Sequence, residues 1–153
     1  MLALLIGAVV PQFSALFTPD HEAVFQSLVR SLKILRNDAV LKNRSYRLVL
    51  DEKSRTIQFE QPNDKDEYEP IESDRGLRPI PIPDSLEVLE ATHADFDCES
   101  STFGTSSMER LEVKIDSSGF VQPFALTLAE QGGPERWSIC SQNILGTLTL
   151  KEL

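Results

Sequence analysis

Leu28-Val29-Arg30-Ser31-Leu32-Lys33-Ile34-Leu35-Arg36-Asn37-Asp38-Ala39-Val40-Leu41-Lys42-Asn43-Arg44 is the stretch whose reading decides the fold. Together with Phe25, the residues Leu28, Val29, Leu32, Leu35, Ala39 and Val40 recur at steps of three and four, while Arg30, Lys33, Arg36 and Lys42 hold much of the other face. That spacing predicts one amphipathic helix starting at Asp20, of about six turns. Thr18 followed by Pro19 reads as an N-cap and a first helical position, with Asp20 and Glu22 beside the positive end of the helix dipole. The pattern stops near Asn43, and Ser45-Tyr46-Arg47-Leu48-Val49-Leu50 then alternates as a strand.

Downstream the chain reads as strands and turns. Tyr46 to Leu50, the turn Asp51 to Ser54, and Thr56 to Phe59 form a predicted hairpin. Leu111 to Ile115, Pro123 to Leu128, Arg136 to Cys140 and Thr147 to Leu150 are further strands, and Leu86 to Leu89 adds another. Strands follow a helix without β-α-β alternation, so the expected class is α+β with an antiparallel sheet or sandwich covered by the helix. The acidic segment between residues 60 and 99 carries Pro62, Pro70, Pro79, Pro81 and Pro83. Prolines at alternate positions exclude a central strand there, and residues 60–85 are expected to be a surface loop.

Upstream, Met1 to Val10 carries no charge, and Phe13, Ala15, Leu16 and Phe17 extend the apolar character. A bilayer span needs about 20 mostly apolar residues. This run is shorter and is interrupted by Pro11 and Gln12, so it reads as the later half of a membrane helix. The expected organisation is therefore an apolar segment 1–17, an amphipathic helix 18–44 and a β-rich domain 45–153.

Composition narrows the chemistry. The 153 residues carry a formal charge of −9 with a pI near 4.7, which opposes phosphate binding; no nucleic-acid partner is expected. Asp64, Asp66, Glu67 and Glu69 lack the glycine and terminal glutamate of a calcium loop and read as a solvated turn. His93, Asp95 and the nearby serines fall in no hydrolase or protease motif, and no Walker sequence is present. No catalytic residue, cofactor or metal is assigned, and the chain is read as a non-enzyme. Cys98 and Cys140 sit outside any Cys-x-x-Cys pair. In an exported domain they would pair, whereas in the cytosol they would be buried hydrophobes; a bridge is expected in oxidised material.

Ala3 to Phe13, an apolar run ending in proline, glutamine and an aromatic, resembles the second half of the amino-terminal helix of type IV pilins and type II secretion pseudopilins. Leu28 to Arg44, with Val49 and Asp51 continuing its register, resembles the end of that helix in the minor pseudopilin H group. The turn Ile115 to Phe120, the strand that follows it, and Gly146 before Thr147 are similar to that group as well. The likeness implies a type IV pilin-like fold in which Phe25, Leu28, Leu32 and Leu35 join helix to sheet. It further implies that Leu4, Leu5, Val9, Val10, Pro11, Phe13, Leu16 and Phe17 face a membrane or a neighbouring subunit. The group's leader, cleavage glycine and helix glutamate have no counterpart here, so an amino-terminal truncation is expected.

On this resemblance the chain would be a structural minor pseudopilin. It would be held once through the bacterial inner membrane, with its β domain in the periplasm. Its partners would be other pseudopilins, major and minor, near the tip of a pseudopilus that helps export folded proteins across the outer membrane. A minor pilin of a type IV pilus or DNA-uptake system is the alternative. A periplasmic enzyme or ligand-binding domain would instead need a pocket of convergent polar groups.

Overall fold

The computed structural model describes residues 18–71, 76–94, 110–141 and 143–153. Their order is α1 (Asp20–Lys42), β1 (Tyr46–Asp51), β2 (Thr56–Pro62), β3 (Tyr68–Pro70), β4 (Ile80–Pro81), β5 (Leu86–His93), β6 (Arg110–Ile115), β7 (Phe124–Glu130), β8 (Arg136–Ser141) and β9 (Leu148–Glu152).

The helix starts one residue later than its capping signal suggests. Pro19 stands at the N-cap with extended backbone and offers no side-chain cap; its carbonyl accepts from the Ala23 amide at 2.9 Å. Thr18 therefore lies one position too far out to cap. At the other end Asn43 takes the left-handed conformation, φ 50°, and its amide returns to the Ala39 carbonyl. Such an αL stop suits asparagine, whose short polar side chain tolerates positive φ.

Two antiparallel sheets follow. In the first, β2 and β6 flank β1 with Leu48 opposite both Phe59 and Val113, and β3 and β4 both pair with the far side of β2. In the second the order is β5-β7-β8-β9. The stretch 60–85, expected to be a loop, thus holds two short strands. They lie at the sheet's edge, the one place where prolines cost no ladder bond. β5 also runs past Leu89 to His93, through an irregularity between Val88 and Glu90.

One hydrophobic cluster joins helix and sheets. Val24, Leu28, Leu32, Leu35 and Ala39 of α1 meet Leu48, Phe59 and Val113 of the first sheet and Leu126, Leu128 and Ile139 of the second. The inner residues alternate along β6, as a half-buried strand requires, whereas β7 is buried on both faces from Phe124 to Ala129. This is an α+β architecture: one long helix on antiparallel sheets.

Candidate functional site

Residues proposed from sequence to join helix and sheet fall as follows. Leu28 and Leu35 are fully buried and Leu32 nearly so, while Phe25 is half-buried and packs against the same cluster. Val24 also belongs to this face; its spacing of four before Leu28 is the signal that points to it. Leu4, Leu5, Val9, Val10, Pro11, Phe13, Leu16, Phe17 and Cys98 lie outside the described residues. Cys140 is buried on β8, and no described cysteine is free.

At the carboxyl end of α1, two turns are held rigidly. In the first, the Asp116 carboxylate accepts from the Ser118 amide at 2.9 Å, the Ser118 hydroxyl at 2.5 Å and the Phe120 amide at 3.1 Å. The Ser118 hydroxyl above all holds the Asp116 pKa below the usual carboxylate range, because these bonds favour the charged form. The same turn carries Gly119 at φ 83°, whose carbonyl accepts from Arg36 Nε at 3.0 Å. A Cβ on Gly119 would meet Val40 Cγ2 at 3.1 Å. Arg36 and Val40 thereby pin the helix to the turn.

The second turn is organised by Asn143. Its side-chain oxygen accepts from the amides of Leu145 at 3.0 Å and Thr147 at 3.2 Å, and its side-chain nitrogen donates to the Thr147 hydroxyl at 3.1 Å. Its carbonyl takes the Gly146 amide at 3.0 Å, and the Ile144 carbonyl takes the Val121 amide at 2.9 Å. The braced loop presents Ile144 and Leu145, each 51 % exposed.

Near the start of α1, the His21 ring stacks on Trp137 at 3.9 Å between centroids, and the Ser85 hydroxyl donates to Asp20. Arg55 in the β1–β2 turn donates to the carbonyls of Pro83 at 2.9 Å and Leu86 at 2.5 Å, tying the first sheet to the chain entering the second. On the outer face of the first sheet, Arg47 bridges Glu112 at 3.0 Å and Glu60 at 3.8 Å, and Arg110 closes the group on both carboxylates. The Arg47 guanidinium also lies 3.8 Å over the Tyr68 ring. These charges neutralise one another, which makes the group structural.

Among the described residues no three His, Cys, Asp or Glu side chains gather as metal ligands, and no described helix is long and apolar enough to cross a membrane. Asp64 and Asp66 line an open cleft with Arg44, Asn63 and Tyr68. The Asn63 side chain there accepts from the amides of Lys65 and Glu67, a closed turn of its own.

No family model matches the sequence, and no curated protein matches it. Solved structures do. The chain is similar to the minor pseudopilin EpsH from the type 2 secretion system of Vibrio cholerae: TM-score 0.64, 21 % identity, 87 % of this chain and 97 % of that one covered. Escherichia coli GspH follows at TM-score 0.57 and 14 % identity, with 88 % and 87 % covered. The Pseudomonas aeruginosa type IV minor pilin FimU reaches 0.51 at 12 % identity, with 85 % and 87 % covered. The shared property is the fold, spanning the helix and both sheets.

Proposed function

We propose that the protein is a structural minor pseudopilin of a type II secretion system. Its apolar amino-terminal segment is held in the inner membrane and its β domain stands in the periplasm, where it assembles with other pseudopilins near the tip of the pseudopilus to drive export of folded proteins. The carrying observation is the likeness to EpsH over nearly that whole chain, joined to an uncharged run before the helix that resembles a pilin stem. In this role Leu4, Leu5, Val9, Val10, Pro11, Phe13, Leu16 and Phe17 supply the stem's apolar contacts. Packing between such stems comes from close van der Waals contact, with no chemistry required. Cys98 and Cys140 form a bridge suited to an oxidising periplasm; the lack of a free cysteine among the described residues supports this.

The likeness to FimU keeps a type IV minor pilin as the second reading. The higher score and identity of EpsH favour secretion, and a DNA-gripping role is opposed by a final strand with Lys151 as its single basic residue. Deleting the gene tests the proposal. Exported proteins should accumulate in the periplasm, with recovery from the full chain and none from one lacking residues 1–17. Normal export after deletion, alongside lost piliation or DNA uptake, overturns it in favour of the second reading.

A further inference from the structure

The first turn of α1 is held to the second sheet by a ring stack. The His21 imidazole lies flat on the Trp137 indole, 3.9 Å between centroids and 9° from parallel, and Trp137 is only 7 % exposed. Imidazole is the side chain whose charge ordinarily changes between about pH 5 and 8. One acid–base step therefore turns a neutral stack into a cation on the face of a largely desolvated indole. Such a contact attracts through the ring quadrupole, and more strongly as water is excluded.

The neighbouring charges act in the same direction. Asp20 and Glu22 flank His21 in the first turn of the helix. On β9, Glu152 stands directly opposite Trp137, and directly opposed residues share a face. Leu128 is the partner of Trp137 on β7, so Glu130, two residues on, shares that face as well. Glu135 follows in the turn before β8, its carbonyl taking the Glu130 amide at 3.0 Å. Asp84 adjoins Ser85, whose hydroxyl donates to Asp20, and lies 3.8 Å from Arg55. The cations Arg136 and Lys151 alternate onto the other face of the sheet. The positive end of the helix dipole opposes an imidazolium here, but Asp20 and Glu22 stand against that same end. We propose that the His21–Trp137 stack is a pH-sensitive clamp on the start of α1, gripping more tightly when the imidazole is charged. The added grip is present in acid and lost as the pH rises and the imidazole discharges. It sets how firmly the start of the helix, to which the apolar run 1–17 is joined, is held against the β domain. This joint is the same whichever assembly the chain enters, so its behaviour is separate from the role proposed above.

Two readouts on the full chain test the clamp. Trp137 is the single tryptophan, so all indole emission comes from the stacked ring. The Ala23 amide, bonded to the Pro19 carbonyl, reports by hydrogen exchange how often the first turn opens. Corrected for the intrinsic exchange rate, Ala23 protection should be at least ~3-fold greater at about pH 5.5 than at about pH 8, and the emission should change with the same midpoint. Both responses should vanish in His21→Gln and in His21→Phe, the second of which keeps a ring without a charge. The other histidine, His93, is opposite Phe124, four residues along β7 from Leu128, and both variants retain it. Equal protection at the two pH values, greater protection at the higher one, or a wild-type response that survives in either variant overturns the proposal.

Discussion

Leu28→Ala is the most direct perturbation of the joint between helix and sheets. Leu28 has no exposed surface and packs in the cluster shared by α1 and both sheets. Truncation removes three carbons, and at ~0.8 kcal/mol per methylene the lost transfer energy is ~2.4 kcal/mol. The cavity left in a core that cannot fully collapse adds ~1 kcal/mol or more, and the better helix propensity of alanine returns ~0.2 kcal/mol. The net cost is ~3 to 4 kcal/mol, which for a domain of this size lowers the melting temperature by ~10 °C. Val29→Ala is the matched control. Its side chain is 40 % exposed one position along the same helix, and its effect should stay within ~0.5 kcal/mol. Urea unfolding followed by circular dichroism, with equal slopes for all variants, measures both. A loss below ~1 kcal/mol for Leu28→Ala, or equal losses at the two sites, would refute the reasoning that this face carries the packing.

Other consequences are equally specific. Gly146 has φ 67° and an added Cβ would lie 2.7 Å from Val121 Cγ2, so Gly146→Ala should cost ~2 to 3 kcal/mol. Gly132→Ala, also at positive φ but with open space around it, should cost ~1 kcal/mol; equal losses would contradict the steric argument. The Asp116 carboxyl titrates below its usual range, so its contribution is complete above the unfolded value and disappears as pH falls through the lowered one. The stability gap between wild type and Asp116→Ala should therefore be constant above about pH 5 and close as the pH falls below the usual carboxylate range, and a gap that survives acid would show the turn is held otherwise. Under the proposed Cys98–Cys140 bridge, which closes a loop of about 42 residues, reduction should release two thiols and cost ~4 kcal/mol. Two reactive thiols before reduction would reject the bridge.

Much of the architecture was readable locally because burial leaves a period. The helical steps through Phe25, Leu28, Leu32, Leu35 and Ala39 and the pattern in Tyr46 to Leu50, Leu111 to Ile115 and Arg136 to Cys140 correspond to elements packed on the core, whereas Val29 and Val40, read in the same series, are exposed. β3 and β4 left no such trace. They are three and two residues long and exist by pairing with β2, information that lies in the partner strand. Ser31 is buried in α1 and breaks its apolar pattern without breaking the helix. The contacts that shape the outer surface were the least legible. Arg36 reaches Gly119 across 83 positions and Arg55 reaches Leu86 across 31, and nothing in the local composition of either residue announces its acceptor. The Asn143 brace is local, yet an asparagine three residues before Gly146 marks a turn without showing that Ile144 and Leu145 will be left outside it.

The measurement that bears most directly on the central claim is in-cell crosslinking from Phe17 in the native secretion strain, with every partner present. A photo-reactive residue there should give membrane-fraction adducts with other pseudopilins, and these should vanish when the remaining pseudopilin genes are deleted. A protein that stays monomeric in the soluble fraction, with no adduct from Phe17 or Phe13, would contradict the view that this chain acts by stacking through its stem.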